Sequence, residues 1–462
     1  TANASDTGNG GSGVDGVYQM NSGLDVYVRG TGWGLNTWGA GGWGSSGDLS
    51  LTNQLRLWSI DNFGDDTIAA PRAGAIYFWD KSDDLTTRAV ALSSESGASD
   101  VPTACLQVMT SDVDKHVIAF GSNPIGSSSL DPLLVRWSDQ ENAADWTPTS
   151  TNSAGGVKIS SGSKIVGALR TRQEILIWTD SALHSMRFVG APFVFSFQQV
   201  GTNCGLIGKN AAVEVDGAAY WMSENGFFRY TGKLESLPCL VEDHVYDDIN
   251  TTPKQHINAG LNNLFGEVIW FYPNSGSGVV NRMVAYNYLD SSPERPVWTT
   301  GTLARTAWED SAIFGKPHAT EYDSSAETAD TDVNYVHGNT DGASTYYEHE
   351  TGLNQVKLGQ TTAITANIES GSFDIGQQGL AGDGEFMMKI RRVIPDFLSQ
   401  TGDARVTLNL KDFPNQTKAS SSLGPFTITS NSTKIDTRAR AREISLKVEN
   451  TSTGQFWKLG TF

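Results

Sequence analysis

Five stretches of this chain repeat one hydrophobic-to-polar pattern: a short β-branched or aromatic run, a tryptophan, and then a cluster of Asp, Ser, Asn or Gly. They are "AIYFWDKSD" from Ala75, "LLVRWSDQE" from Leu133, "EILIWTDSA" from Glu174, "AAYWMSENG" from Ala218 and "EVIWFYPNSG" from Glu267. The tryptophans Trp79, Trp137, Trp178, Trp221 and Trp270 are separated by 58, 41, 43 and 49 residues, and Trp308 follows 38 later. A strand-built repeat of about 40 to 50 residues is the mark of β-propeller blades, each a four-stranded sheet. An array of β-sandwiches is the competing all-β architecture.

The polar clusters fit hairpin turns. "WTDSALHSMRFVG" runs from a polar turn into a second strand, and "WMSENGFFRYTG" places Asn225 and Gly226 between two apolar runs. In "VRWSDQENAADW" a second tryptophan, Trp146, arrives nine residues after Trp137. A tryptophan at a strand end can bury its ring between sheets while its indole N–H meets a turn carbonyl. Hardly any segment shows the i, i+3, i+4 spacing of an amphipathic helix.

Two regions fall outside the repeat. Residues 1–50 carry "GTGWGLNTWGAGGWGSSG", with Trp33, Trp38 and Trp43 five apart, and glycine at this density predicts an extended arm. From 346 to 462 the repeat is gone. "FMMKIRRVIPDF", with Lys389, Arg391 and Arg392, "ARVTLNL", "GPFTITS" and "SLKVENTSTGQFWKLGTF", with Leu446, Val448 and Phe456, predict strands of a β-sandwich. The expected organisation is an arm over 1–50, a β-propeller-like domain over 51–345 and a β-sandwich over 346–462.

Composition agrees with an all-β chain: 49 glycines and 13 tryptophans among 462 residues suit tight turns and cross-strand packing. No run approaches the ~18 apolar residues of a membrane-spanning helix. The net charge of −18 argues against a protein that grips phosphate backbones, which needs a basic stripe. Cys105, Cys204 and Cys239 are odd in number and far apart, which predicts buried thiols rather than a disulfide framework or a zinc site. The opening "TANASDTGNGG" has neither a basic nor an apolar leader region, so no secretory signal is expected.

Candidate chemistry is sparse. Gly39, Gly41 and Gly44 match GxGxxG without the strand before and helix after that a dinucleotide site needs. His116, His184, His244, His256, His318, His337 and His349 are scattered at spacings that suggest no metal site. No GxSxG elbow is present. Asp139, Glu141 and Asp145 are carboxylates to test for glycan hydrolysis, but Ser138 and Asp139 are adjacent and no glycine follows, so the sialidase-type box S-x-D-x-G-x-x-W is not met. Turn capping is the expected role of these acids. The sequence therefore predicts no enzyme, no catalytic residues, no cofactor and no metal.

The phrases "LRLWSIDNFGDDTIAAPRAGAIYFWD" (55–80), "VRWSDQENAADWTP" (135–148), "YWMSENGFFRYTG" (220–232) and "RAREISLKVENTSTGQFWKLG" (440–460) resemble the packaged-DNA stabilisation proteins, tail hubs or nozzles, of short-tailed bacteriophages. The resemblance covers most of residues 55–462, and it leads one to expect a further segment ahead of the glycine-rich stretch. It implies a non-enzymatic protein of the virion tail, assembled as a homo-hexameric ring below the portal and adaptor. Its implied partners are further copies of itself, the adaptor and portal proteins, and tail spike, fibre or needle proteins. Genomic DNA would be retained by the ring and pass through it without sequence-specific binding, and no membrane is involved. Acidic residues lining such a channel would repel the duplex and keep it centred. The alternative is a glycan-binding or glycan-degrading propeller: an adhesin using Trp33, Trp38 and Trp43, or a receptor-clearing tail component.

Overall fold

The computed structural model describes residues 57–460 apart from 84–86, 112–113, 324–342, 358, 376–383 and 385. The chain divides into two compact units, one ending at His349 and one beginning at Glu350. In the first, each sheet is an antiparallel meander of strands consecutive in sequence. Sheet 1 comprises β1 (Trp58–Phe63), β2 (Asp66–Pro71), β3 (Tyr77–Trp79) and β4 (Val90–Ala91). Sheet 2 comprises β5 (Cys105–Thr110), β6 (Val117–Ser122), β7 (Leu134–Trp137) and β8 (Gly155–Lys158). Sheet 3 comprises β9 (Ile165–Arg170), β10 (Ile175–Thr179), β11 (Ala182–Gly190) and β12 (Val194–Thr202). Sheet 4 comprises β13 (Ala212–Val215), β14 (Ala218–Ser223), β15 (Gly226–Tyr230) and β16 (Leu234–Leu237). Sheet 5 comprises β17 (Asn258–Asn262), β18 (Glu267–Tyr272), β19 (Arg282–Asn287) and β20 (Trp298–Gly301). Sheet 6 has three strands among the described residues, β21 (Ala307–Glu309), β22 (His318–Asp323) and β23 (Ala343–Glu348).

The first strands of successive sheets neighbour one another: β5 with β9, β9 with β13, β13 with β17 and β17 with β21. This is the β-propeller arrangement, in which each blade begins at the axis and works outward. It explains why the strand runs read as continuous apolar segments rather than alternating ones. A blade is covered on both faces, so both sets of side chains are buried. In β6, Val117 and Ala119 pack with sheet 1 while Ile118 and Phe120 pack with sheet 3. In β18, Val268, Trp270 and Tyr272 join the core shared with sheet 4, and Ile269 and Phe271 the core shared with sheet 6.

The repeating tryptophans do not occupy equivalent positions, and Trp221 and Trp270 lie inside their strands rather than at the expected strand ends. Trp79 and Trp137 end third strands, Trp178, Trp221 and Trp270 lie in second strands, and Trp308 is in a first strand. The uneven spacing follows from this. Trp137 is 4% exposed, and Trp146, Trp178, Trp221 and Trp270 are fully buried, whereas Trp79 is only half-buried. Their indoles mostly meet backbone carbonyls as expected: Trp137 donates to Ser153 O at 2.8 Å, Trp221 to Cys204 O at 3.0 Å and Trp270 to Ala211 O at 3.0 Å. Trp178 is the exception, with no partner on its buried Nε1. The β14–β15 hairpin turns one residue earlier than the Asn-Gly signal suggests, through Glu224 and Asn225, because Gly226 already pairs with Ser223.

In the second unit, strands β24 (Asn354–Lys357) and β25 (Gln360–Ala363) form a ribbon. The next elements are β26 (Asn367–Glu369), β27 (Met388–Val393), β28 (Phe397–Thr401), β29 (Ala404–Lys411), β30 (Ser421–Ile428), β31 (Ile435–Ala441), β32 (Glu443–Glu449) and β33 (Phe456–Leu459). A four-stranded sheet in the order β26-β32-β29-β30 packs against the pairs β27-β31 and β28-β33, the two layers of a β-sandwich. In β29, Ala404, Val406, Leu408 and Leu410 are buried in strict alternation. Val448 is buried and Leu446 packs against the core, but Phe456 is 36% exposed and its neighbour Trp457 packs inward instead. The expected domain boundary at 345/346 falls inside β23, which pairs with β22 in the first unit. Residues 1–50, with Trp33, Trp38, Trp43, Gly39, Gly41 and Gly44, lie outside the described residues.

Candidate functional site

The acids singled out by sequence sit in the loop between β7 and β8. Asp139 Oδ1 accepts from the backbone N–H of Ser153 at 2.8 Å and from its hydroxyl at 2.7 Å. Burial pushes the Asp139 carboxyl up, but these bonds outweigh it and hold it below its ordinary value. Asp145 accepts from Ser99 Oγ at 2.6 Å, which lowers it against an opposing burial effect, and from Asn152 Nδ2 at 3.0 Å. Glu141 is exposed, at a left-handed φ of 57°. Each Asp is held ionised by turn donors, which suits a cap and not a general acid.

The fold also brings together three residues that sequence reasoning did not connect. His116 Nδ1 lies 2.6 Å from Asp114 Oδ2, and His116 Nε2 lies 2.9 Å from Ser153 Oγ. Asp114 and His116 are buried, and the Ser111 hydroxyl donates to Asp114 Oδ1. The order Asp–His–Ser matches that of a nucleophilic triad. Counting protons decides otherwise. A hydroxyl has one proton and two lone pairs. The Ser153 proton goes to Asp139, which only accepts, and one lone pair takes the Gln140 N–H at 2.9 Å. The other faces His116 Nε2, which must carry its own proton. The imidazole is therefore a donor to Ser153, not a base for it. The Asp114–His116 approach is close but poorly directed for a hydrogen bond. Phe195, with its ring 5.2 Å from His116, and Trp137 cover the cluster. It ties β6 to the loop after β7.

A second site lies among the first strands of the propeller, where a cavity of ≈ 320 Å³ opens. Gln107 of β5, Ala168 of β9, Ala212 of β13, Asn258 of β17 and Thr306 beside β21 contribute to its wall, with Lys209 and Asn210 from the link between sheets 3 and 4. That link passes very close to its neighbours: a Cβ on Gly205 would stand 2.2 Å from Asp180 O, and one on Gly208 2.4 Å from Lys254 O. Only glycine allows this approach, which delivers Lys209 to the cavity. Its Nζ donates to Trp58 O at 2.9 Å. Nearby, Arg72 Nη1 donates to Val166 O at 3.2 Å and more weakly to Leu106 O at 3.5 Å. No carboxylate pairs with either cation among the described residues. Burial, with Arg72 adding to it, lowers Lys209 to about 8, and burial lowers Arg72 to about 10. A guanidinium remains charged at neutral pH even so. Burial pushes the neighbouring Cys105 thiol up to about 12.

The other residues noted in sequence are dispersed. Cys105 and Cys204 are buried free thiols and Cys239 is half-buried. His184 is buried in β11 with neither ring nitrogen partnered, and His337 lies outside the described residues. His349 accepts from Arg305 Nε at 2.8 Å. No group of three or more His, Cys, Asp or Glu side chains arranged for a metal occurs among the described residues. Lys389 and Arg391 face solvent on β27, where Lys389 stands opposite Arg440, while Arg392 pairs with Asp436 at 2.8 Å.

No family model matches the chain, and no curated protein matches it. Among solved structures it is similar to the AfRom2 CNH domain, with 11% identity over 58% of this chain and 79% of that one and a TM-score of 0.34. It is similar to the dihydro-haem d1 dehydrogenase NirN, with 10% identity over 57% and 51% and a TM-score of 0.35. It is also similar to BamB from Moraxella catarrhalis, with 13% identity over 57% and 79% and a TM-score of 0.29. At these values the likenesses say nothing about what this chain does, and the propeller assignment stands on its own sheets.

Proposed function

We propose that the chain is a non-enzymatic structural protein of a short-tailed bacteriophage virion, a tail nozzle or hub that assembles as a homo-hexameric ring, retains packaged DNA and forms its exit channel. The observation that carries this reading is what the family-like phrases do in the fold. Their distinctive residues are used for packing and turn closure. Trp137, Trp146 and Trp221 are buried with their indole N–H groups on backbone carbonyls. Asp139 and Asp145 close the loop between β7 and β8 that carries Trp146. The Asp114–His116–Ser153 arrangement has its hydroxyl committed to a carboxylate. Such phrases preserve a scaffold rather than a reaction.

Exposed apolar residues support association. The β11–β12 hairpin, two nine-residue strands, exposes Phe193 at 77% and Val189 at 54% near its tip. In the second unit Leu398 is 80% exposed and Ile394 67%. Clustered exposed apolar side chains, such as Phe188, Val189 and Phe193 at the β11–β12 tip, are a feature of surfaces that bind other proteins. Mass photometry and negative-stain imaging of the purified full chain test the reading. Rings of six, with a mass about six times the 49.7 kDa of one chain, are expected. A strict monomer at every concentration, or release of reducing sugar from host polysaccharide, counts against it.

A further inference from the structure

We propose that the axial cavity of the propeller binds a small oxyanion, presented as a phosphate or a carboxylate group, beside Lys209 and Arg72. Lys209 lines the cavity and Arg72 is its close cationic neighbour, and both donate only to backbone carbonyls. Two like charges held close in a half-buried site, without a carboxylate, leave an electrostatic cost that an anion relieves. No acidic side chain contributes to the wall. Two buried N–H groups also lack acceptors: Nε1 of Trp178, a wall residue, and Nε of Arg72, beside Lys209. An oxyanion is rich in acceptors and poor in donors, the complement of that set. Asn258 Oδ1, a buried acceptor without a partner, would receive a hydroxyl or a water accompanying the anion. The volume of ≈ 320 Å³ admits a phosphate or a small polycarboxylate with part of its hydration shell. Nothing in this inference depends on whether the chain forms a ring.

Sulfate is the first probe, because its charge is constant across the pH range of interest. The full-length protein is titrated with sodium sulfate at constant ionic strength set with chloride, and followed by calorimetry and thermal melting. Saturable binding is expected, weakened by roughly tenfold or more in Lys209→Met and largely retained in Lys209→Arg, as loss of one charge-assisted hydrogen bond implies. Sulfate affinity of the wild type is expected to fall as pH rises past about 8, where Lys209 loses its charge. The ionisable groups facing Lys209, Arg72 and Cys105, titrate above that point. Phosphate and citrate, compared at equal ionic strength, then distinguish the two sources of the oxyanion. Absence of saturable sulfate binding, or an unchanged affinity in Lys209→Met, overturns the proposal. If Lys209→Met does not fold, a wild-type affinity independent of pH between 7 and about 9.5 overturns it instead.

Discussion

Replacing Trp178, Trp221 and Trp270 one at a time with phenylalanine separates ring packing from hydrogen bonding in this propeller. All three rings are fully buried in second strands and share one core. Trp221 and Trp270 each donate to a carbonyl at 3.0 Å, but Trp178 donates to nothing. Truncation to phenylalanine costs all three a similar amount of packing. Both Trp221→Phe and Trp270→Phe additionally lose a hydrogen bond. The further cost is about 1–3 kcal/mol for Trp221→Phe, which strands Cys204 O, and about 1 kcal/mol for Trp270→Phe, where Ala211 O keeps the Met222 N–H at 3.2 Å. Trp178→Phe removes a buried N–H that was already unpaired, so that cost is absent. Thermal unfolding in buffer free of sulfate and phosphate reads the difference. The first unit's transition should fall by roughly 2–8 °C more in Trp221→Phe and Trp270→Phe than in Trp178→Phe, at a few degrees per kcal/mol for a domain of this size. A Trp178→Phe protein at least as destabilised as both others would show that packing alone sets the order, and would refute the assignment of these hydrogen bonds.

Gly205→Ala should destabilise the propeller by about 2 kcal/mol or more, because its Cβ would meet the Asp180 carbonyl at 2.2 Å; a melting temperature within a degree of wild type would contradict that approach. Ser153→Ala should lower stability by about 1–3 kcal/mol, since Asp139 and His116 both lose a partner, yet leave hydrolysis of a p-nitrophenyl ester at the buffer rate found for wild type. A wild-type esterase rate abolished by that change would instead make the serine a nucleophile. Burial, then Arg305 and His318, lowers His349 to about 4. The unfolded chain takes up this proton near pH 6.5 and the native chain only near 4, so stability is full above about 6.5 and declines as pH falls through that window. The decline should be shallower in His349→Asn, and equal slopes in melts from pH 7.5 to 4.5 would show that His349 does not cause it.

The all-β class and the propeller could be read from sequence because a blade covered on both faces requires uninterrupted apolar runs such as "ILIW" and "VIWFY", and each run ends where backbone turns to solvent. The strand holding each tryptophan could not be read, because second and third strands are equally apolar in this fold. Sheet 2 shows the ambiguity: its second strand buries Phe120 while Trp137 falls in the third. The candidate sites were hidden for a different reason. His116 and Ser153 are 37 residues apart and meet only because the loop after β7 folds back to β6. Arg72 and Lys209 come from loops of different sheets. The available local signal was a lone cation between glycines and apolar residues, "PRAGA" and "GLIGKN". A charge in such a setting is seldom buried without a partner.

Quantitative mass spectrometry of purified particles from a phage that encodes this chain tests the central claim most directly. The structural reading predicts the chain in intact virions, at a fixed copy number close to six per particle, and co-purifying with tails after capsids are disrupted. Its absence from purified virions, with abundant protein in the infected-cell lysate, would contradict a role in the tail.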